Sequence, residues 1–286
     1  FTTYMDNIGE VENKGYELEF RSEGVRRKDL FVACFANLAH NENRILKISE
    51  SLKAYNDRVK DHFANSNRFD GSNTQPFTQY VEGGSQTSIW RVPSLGIDPA
   101  TGEEIFIRPD GSITNTWNTN DQVVLGDTEP KIQGTFGLNA TYKNLSLYMT
   151  FMYEAGGQLY NSTLRDKVED VNVYTSNVDK RVFSERWQEP GDKARYRKLT
   201  SGVGGSIMRT RPTSRFVEDN NVLTLNSMSL GYDFDAGQKW MKTIGLSMLR
   251  FEIGANDVCR WSSVKVERGL NYPYARSFNF SLKAAF

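Results

Sequence analysis

Histidine and cysteine are almost missing from this chain of 286 residues, with two of each. His40 and His62 have no ligand partners at metal-site spacing, which argues against a zinc centre. Cys34 and Cys259 form no redox or metal motif and are too few for a disulfide framework. A charge excess is missing too: 35 Lys+Arg balance 35 Asp+Glu, so nothing points to nucleic acid. No stretch approaches the ~18 consecutive apolar residues of a membrane-spanning helix, and the mean hydropathy is −0.56. A catalytic set is likewise absent. Gly202-Val-Gly-Gly-Ser206 lacks the Lys-Ser/Thr and the strand–helix context of a phosphate loop, and reads as a flexible loop. Asp110, Asn118, Asn120 and Asp121 lack calcium-loop spacing and read as solvated loop residues. Neither an enzyme nor a resident cofactor is expected.

What the chain does have is aromatic content, 12%, and residues alternating with period two. In Ser277–Phe286, Phe278, Phe280, Leu282, Ala284 and Phe286 fall on one face, and Ser277, Asn279, Ser281 and Lys283 on the other. A soluble protein seldom leaves such an edge uncovered. A strand of about ten residues, apolar outward and polar inward, is what a tilted membrane-crossing β-strand requires. The pattern recurs. Tyr16, Leu18 and Phe20 alternate with Glu17, Glu19 and Arg21, a charge load that suits a watery interior better than a packed core. Leu30–His40 follows, with poorer alternation. The clearest hairpin pairs Ile132–Tyr142 with Leu145–Ala155 through the two-residue turn Lys143-Asn144. Phe136, Leu138, Tyr142, Leu147 and Phe151 are expected to face lipid; Glu17, Gln133, Thr135, Glu154 and Lys283 are expected to face the lumen. Val222–Phe234 and Leu246–Asp257 are further strands.

Two long polar segments, Ser49–Leu125 and Gln158–Asn221, separate the strands. They are expected to be extracellular loops, since barrels have short turns on one side and long loops on the other. The first holds a short strand at Glu103–Ile107, and the second a short helix at Asp179–Trp187. Tyr80, Trp90, Trp117, Trp187 and Tyr196 lie in these loops. Flat aromatics offer contact area at low entropic cost, so a substrate- or lid-contacting surface is one reading. Packing within the loops is the other, and the commoner one. Trp261, Tyr272 and Tyr274 flank strands and suit an interfacial belt.

Several segments, in co-linear order, resemble the C-terminal barrel region of SusC-like TonB-dependent transporters of Bacteroidota. They are Asn7-Ile-Gly-Glu-Val-Glu-Asn-Lys-Gly-Tyr-Glu-Leu-Glu-Phe20, Phe35-Ala-Asn-Leu-Ala-His-Asn-Glu-Asn-Arg-Ile45, Leu95-Gly-Ile-Asp-Pro-Ala-Thr-Gly102, Pro109-Asp-Gly111, Leu125-Gly-Asp-Thr-Glu-Pro130, Gly156-Gly-Gln-Leu-Tyr-Asn161, Arg186-Trp-Gln-Glu-Pro-Gly-Asp192, Ser214-Arg-Phe-Val-Glu-Asp219 and Leu225-Asn-Ser-Met-Ser-Leu-Gly-Tyr232. Thr224 and Asp257-Val258 depart from the family pattern, at positions to which no role is assigned. The resemblance implies an all-β fold: part of an antiparallel transmembrane barrel of about 22 strands in the full protein, of which this length supplies roughly eight to ten. It implies an outer-membrane location, a plug domain and TonB box outside this chain, and a terminal strand read by the barrel assembly machinery. With no leader at Phe1, the chain reads as a mature piece or as the C-terminal part of something longer; the resemblance favours residues 1–286 as the C-terminal portion of the barrel, either a fragment or one chain of a split protein. The implied activity is import of oligosaccharide or peptide with a SusD-like surface lipoprotein and the TonB complex. A passive or adhesive barrel, or a secreted carbohydrate-binding β-sandwich, are the rival readings.

Overall fold

The computed structural model describes residues 9–65, 79–171, 178–199, 210–265 and 276–286. The chain forms two compact units. The first, here the loop unit, comprises Phe1–Lys14, Glu42–Glu129 and Gly157–Asp219; the second, the sheet unit, comprises Gly15–Asn41, Pro130–Gly156 and Asn220–Phe286. In chain order the elements are β1 (Gly9–Arg26), β2 (Leu30–Ile48), α1 (Glu50–Asn65), β3 (Ser88–Arg91), β4 (Ser94–Ile97), β5 (Glu104–Ile107), β6 (Ile113–Thr114), β7 (Val123–Asp127), β8 (Ile132–Tyr142), β9 (Leu145–Tyr160), α2 (Arg181–Ser184), β10 (Val217–Asp233), α3 (Lys239–Thr243), β11 (Met248–Ser262) and β12 (Ser277–Ala285).

The long strands form one seven-stranded sheet in the order β1-β2-β8-β9-β10-β11-β12, a meander in which chain neighbours pair. Among the described residues, seven long strands stand against the eight to ten expected from length. The difference lies in the strands themselves: β1 has 18 residues, β2 19 and β10 17, whereas about 9–11 cross a bilayer. The short connections gather at one end of the sheet. Lys143 N–H donates to Asp29 O (2.7 Å) and Asp233 N–H to Asn144 O (2.9 Å).

The register carries the alternation across the sheet. Phe136 is opposite Phe151, Leu138 opposite Met149 and Cys34, and Ala140 opposite Leu147. Farther along, Tyr232 is opposite Phe251, which is opposite Leu282; Leu230 is opposite Ile253, which is opposite Phe280. One face is therefore apolar throughout, with the Phe136 and Phe151 rings stacked at 4.9 Å. The other is polar: Gln133 faces Glu154, Thr141 faces Ser146, and Arg250 faces Lys283. Arg250 bridges Asp233 (3.0 Å), Glu252 (3.2 Å) and Ser146 Oγ (2.9 Å). Gly231 makes this possible, because a Cβ there would sit 2.6 Å from the Arg250 guanidinium. Phe35 breaks the polar face by stacking on Tyr148 at 6.2 Å, beside a recess of about 540 Å³ lined by Arg21, Glu23 and Asn139 among others. This is why β2 alternates poorly.

At the turn end, Tyr232, Phe234 and Trp240 pack edge to face, at 5.1 and 5.9 Å. This cluster was not expected from the sequence. Trp261 is exposed on β11, while Tyr272 and Tyr274 lie outside the described residues. Cys34 and Cys259 are both free thiols.

Candidate functional site

The loop unit has a core of its own. Leu164, Val168, Val182, Tyr196 and Phe216 form a buried cluster, flanked by Tyr160, Val171 and Val178. The expected helix at Asp179–Trp187 is only the single turn α2: the chain leaves it so that Arg186 can form a bridge with Tyr196. Conversely, α1 arises inside a segment read as loop. The segment Leu164–Glu169 is a π-helical turn whose start is held by Asn161, which accepts from Leu164 N–H (3.2 Å) and donates to Glu218 (2.8 Å).

Beside the apolar cluster sits a buried ionic network. Arg215 donates to Glu104 through Nε (2.7 Å) and Nη2 (2.8 Å), and to Glu169 through Nη1 and Nη2 (2.7 Å each). Such two-pronged guanidinium–carboxylate pairs are the strong ones. Burial works against the charge of Arg215, but the two carboxylates outweigh it and hold the guanidinium above its ordinary range. Arg197 pairs with Glu169 (3.5 Å) and Asp170 (3.3 Å), and Thr210 donates to both acids. Burial raises Asp170 despite the Thr210 and Arg197 contacts. Arg186 donates to the carbonyls of Val182, Arg197, Val168 and Glu169, at 2.6–3.0 Å. The network joins four stretches far apart in sequence, so a scan for motifs along the chain passes over it. The signal was there in part: Arg186 and Arg215 both lie in quoted motif segments.

The Arg186–Asp192 segment is also clasped to the Leu95–Gly102 segment. Trp187 Nε1–H and Gly191 N–H both donate to Pro99 O at 2.8 Å, and Lys198 reaches Glu103 at 3.0 Å. Gly102 is required here. Its φ is +71°, and a Cβ would meet the Trp187 indole at 2.6 Å. Asp192 closes the Pro-Gly turn by accepting from Gln188 and Glu189 N–H, and these two bonds lower its pKa.

Of the five candidate contact aromatics, Tyr196 is 1% exposed, inside the core cluster. Trp187 is half-buried against Gly102. Trp117 is half-buried, donates to Pro212 O (3.3 Å) and lies under the Arg211 guanidinium (5.1 Å). Tyr80 is held by its backbone, both ways, to the Asn56 side chain (2.7 and 3.4 Å). Trp90, on β3, is half-buried with its indole N–H sealed and unpartnered. No two of these rings touch each other among the described residues, so they form no shared platform there.

Asp110 and Asn118 cap their own turns, accepting from Ser112 N–H (2.8 Å) and Asn120 N–H (3.0 Å). Asp121 lies 4.0 Å from Arg108. Among the described residues no group of three or more metal-binding side chains occurs. Gly202–Ser206 lies outside the described residues.

No protein-family profile matches the chain. Among curated proteins it is similar to TonB-dependent receptor P3 of Formosa agariphila, 24% identical over all of this chain and 30% of that protein. It is also similar to TonB-dependent receptor P26 of the same organism, 24% identical over 93% of this chain and 26% of that protein. Among solved structures it superposes on the RagAB peptide transporter with a TM-score of 0.69 at 21% identity, covering 91% of this chain and 27% of that one. On the RagAB peptide importer in its closed-closed state the TM-score is 0.72 at 21% identity, covering 98% of this chain and 30% of that one. The chain has the fold of a segment of these transporters' barrel and is similar over its whole length to a TonB-dependent receptor. It spans less than a third of the length of these relatives.

Its fold is that of a piece of a multi-pass outer-membrane β-barrel, the architecture in which an apolar outer face meets lipid. Phe136, Leu138, Tyr142, Leu147, Phe151, Phe278, Phe280 and Leu282 all lie on the apolar sheet face by register. Gln133, Thr135, Glu154 and Lys283 lie on the opposite, polar face. In β12, Phe278, Phe280 and Leu282 stay well exposed, as does Phe286 beyond its end. The strand pairs with β11 alone in the sheet, so its other edge is open there.

Proposed function

We propose that this chain is the C-terminal barrel part of a SusC-like active importer of the outer membrane. The cargo is a peptide or oligosaccharide; peptide is favoured, because the solved relatives are described as peptide importers. A SusD-like lipoprotein covers the extracellular side, and the TonB complex supplies the energy through a plug outside this chain. The loop unit is extracellular, and its charge-cored scaffold holds the lid-facing loops in one shape. Strand β12, with Phe278, Phe280, Leu282, Ala284 and the terminal Phe286, is read by the barrel assembly machinery and closes the barrel against a strand outside these residues. An open edge in lipid would leave backbone groups unsatisfied.

The reading rests on one observation above the others. The seven-stranded sheet and its long loops match an importer barrel over 98% of this chain. The test is uptake of labelled peptides and oligosaccharides by cells carrying the full protein, with and without TonB and with and without the neighbouring lipoprotein. Peptide uptake that needs both is the expected result. Uptake that survives loss of TonB would leave the passive-barrel reading in its place.

A further inference from the structure

Residues 234–247 join β10 to β11 at the end of the sheet where Lys143-Asn144 alone joins β8 to β9. So long a connection is not needed to turn the chain. It carries α3, and it is held in one shape. Met241 is fully buried beneath it. Ile244 N–H donates to Trp240 O (3.2 Å) and Leu246 N–H to Met241 O (2.9 Å), with Gly245 between them at a φ of +76°.

The connection leans to one side of the sheet. Tyr232 lies on the apolar face, opposite Phe251. Phe234 packs edge to face on Tyr232, and Trp240 packs edge to face on Phe234. The apolar face is thereby carried past the strand ends and on to α3. Trp240 and Ile244, one helical turn apart, are 43% and 55% exposed. Water offers such a pair nothing, whereas the boundary between acyl chains and headgroups suits both. Lys239 and Lys242, also one turn apart, are exposed. The lysines that form ion pairs among the described residues are Lys14, Lys53 and Lys198, so these two ammonium groups have no carboxylate to answer them there. Free cations above an apolar, aromatic edge match the headgroup layer of a negatively charged membrane.

We propose that α3 is a membrane anchor at the turn end of the sheet. Trp240 and Ile244 sit at the boundary between headgroups and acyl chains, and the ammonium groups of Lys239 and Lys242 hold the phosphate of an anionic phospholipid. That a bilayer lies against this end rests on the outer-membrane barrel reading, in which the apolar sheet face meets lipid.

The test is fluorescence quenching in vesicles. The full protein, its native cysteines replaced by serine, carries a bimane probe on Ile244→Cys. The vesicles contain phosphatidylglycerol or phosphatidylcholine with brominated acyl chains, which quench on contact. Both lipids are expected to quench, phosphatidylglycerol at least about twofold more strongly at equal amounts. Lys239→Gln together with Lys242→Gln is expected to bring the two lipids level and to leave quenching by phosphatidylcholine unchanged. An Ile244 probe that neither lipid quenches would overturn the anchor. Equal quenching with both lysines present, or a preference that survives their loss, would overturn the headgroup seat. A second probe, on Leu138→Cys in the apolar face, reads the barrel arrangement separately and is expected to be quenched equally by both lipids. Quenching at Leu138 without quenching at Ile244 overturns the anchor alone. Quenching at Ile244 without quenching at Leu138 overturns the lipid-facing reading of the sheet and leaves the anchor standing.

Discussion

The two units of this chain bury opposite things. In the sheet unit the charges of Arg250, Asp233 and Glu252 stay partly exposed on the polar face, while Phe278, Phe280 and Leu282 are 64–70% exposed on the other. In the loop unit Glu169 has a side-chain exposure of 0% and Arg215 of 10%, and the aromatic residues Tyr196 and Phe216 lie beside them in the core. A sheet whose apolar face meets lipid needs no core of its own, because the bilayer is its apolar solvent. A loop cluster in water has no such help. Its segments come from distant parts of the chain, and it is held by a small apolar cluster and by directional ion pairs. The buried pairs fix which segments meet; they are not by themselves a source of large net stability.

That contrast can be broken from the loop side first. Arg215→Ala strands two buried carboxylates, Glu104 and Glu169, and is expected to cost about 3–5 kcal/mol. Hydrogen exchange should show lost protection around residues 161–170 and 210–216, with the sheet strands unchanged. Equal loss in β8 and β9 would mean that the two units do not stabilise themselves independently.

From the sheet side, Leu138→Arg on the lipid face is expected to cost ~2–4 kcal/mol if the residue lies near mid-bilayer, less toward either interface. Gln133→Arg, on the lumen face of the same strand, is expected to cost little. Folding titrations of the full barrel into lipid vesicles compare the two; equal costs would mean that the faces are assigned to the wrong sides.

The smallest expected effect sharpens the comparison at one turn. Asp192 is exposed, yet two backbone N–H bonds lower its pKa. A carboxylate whose folded value lies below its unfolded one contributes stability that is present above the ordinary carboxylate range. That contribution is lost as the pH falls through the folded value. Asp192→Asn should therefore flatten the acid-side loss of protection in the Trp187–Asp192 turn and leave the rest of the loop unit unchanged. Proteolysis of that turn between neutral pH and about pH 3, a window set by the ordinary carboxylate value, reads this directly.

Much of the sheet was legible in the sequence. The period-two stripes at Phe278–Phe286, Ile132–Tyr142 and Leu145–Ala155 state which residues share a face, because the strand repeat is two and the two solvents of a barrel wall differ sharply. The Lys143-Asn144 turn follows from the same pattern. Strand ends were less legible: β1, β2, β9 and β10 run on past the alternating stretches, so the pattern fades before the strand does. The loop unit was hardly legible. Its aromatics could be seen, but whether Tyr196 faced a ligand or a core depended on Leu164, Val182 and Phe216, which only folding brings to it.

The sequence by itself determined the class of the molecule, its two-faced strands and the order in which they follow one another, since alternation and turn chemistry are local. Only the tertiary structure decided that Arg215 joins Glu104 to Glu169 and that Trp187 closes on Gly102. The physical reason is range. Alternation acts between residues two apart, whereas a buried charge is answered by whatever group the fold places a few ångströms away, however distant it is along the chain.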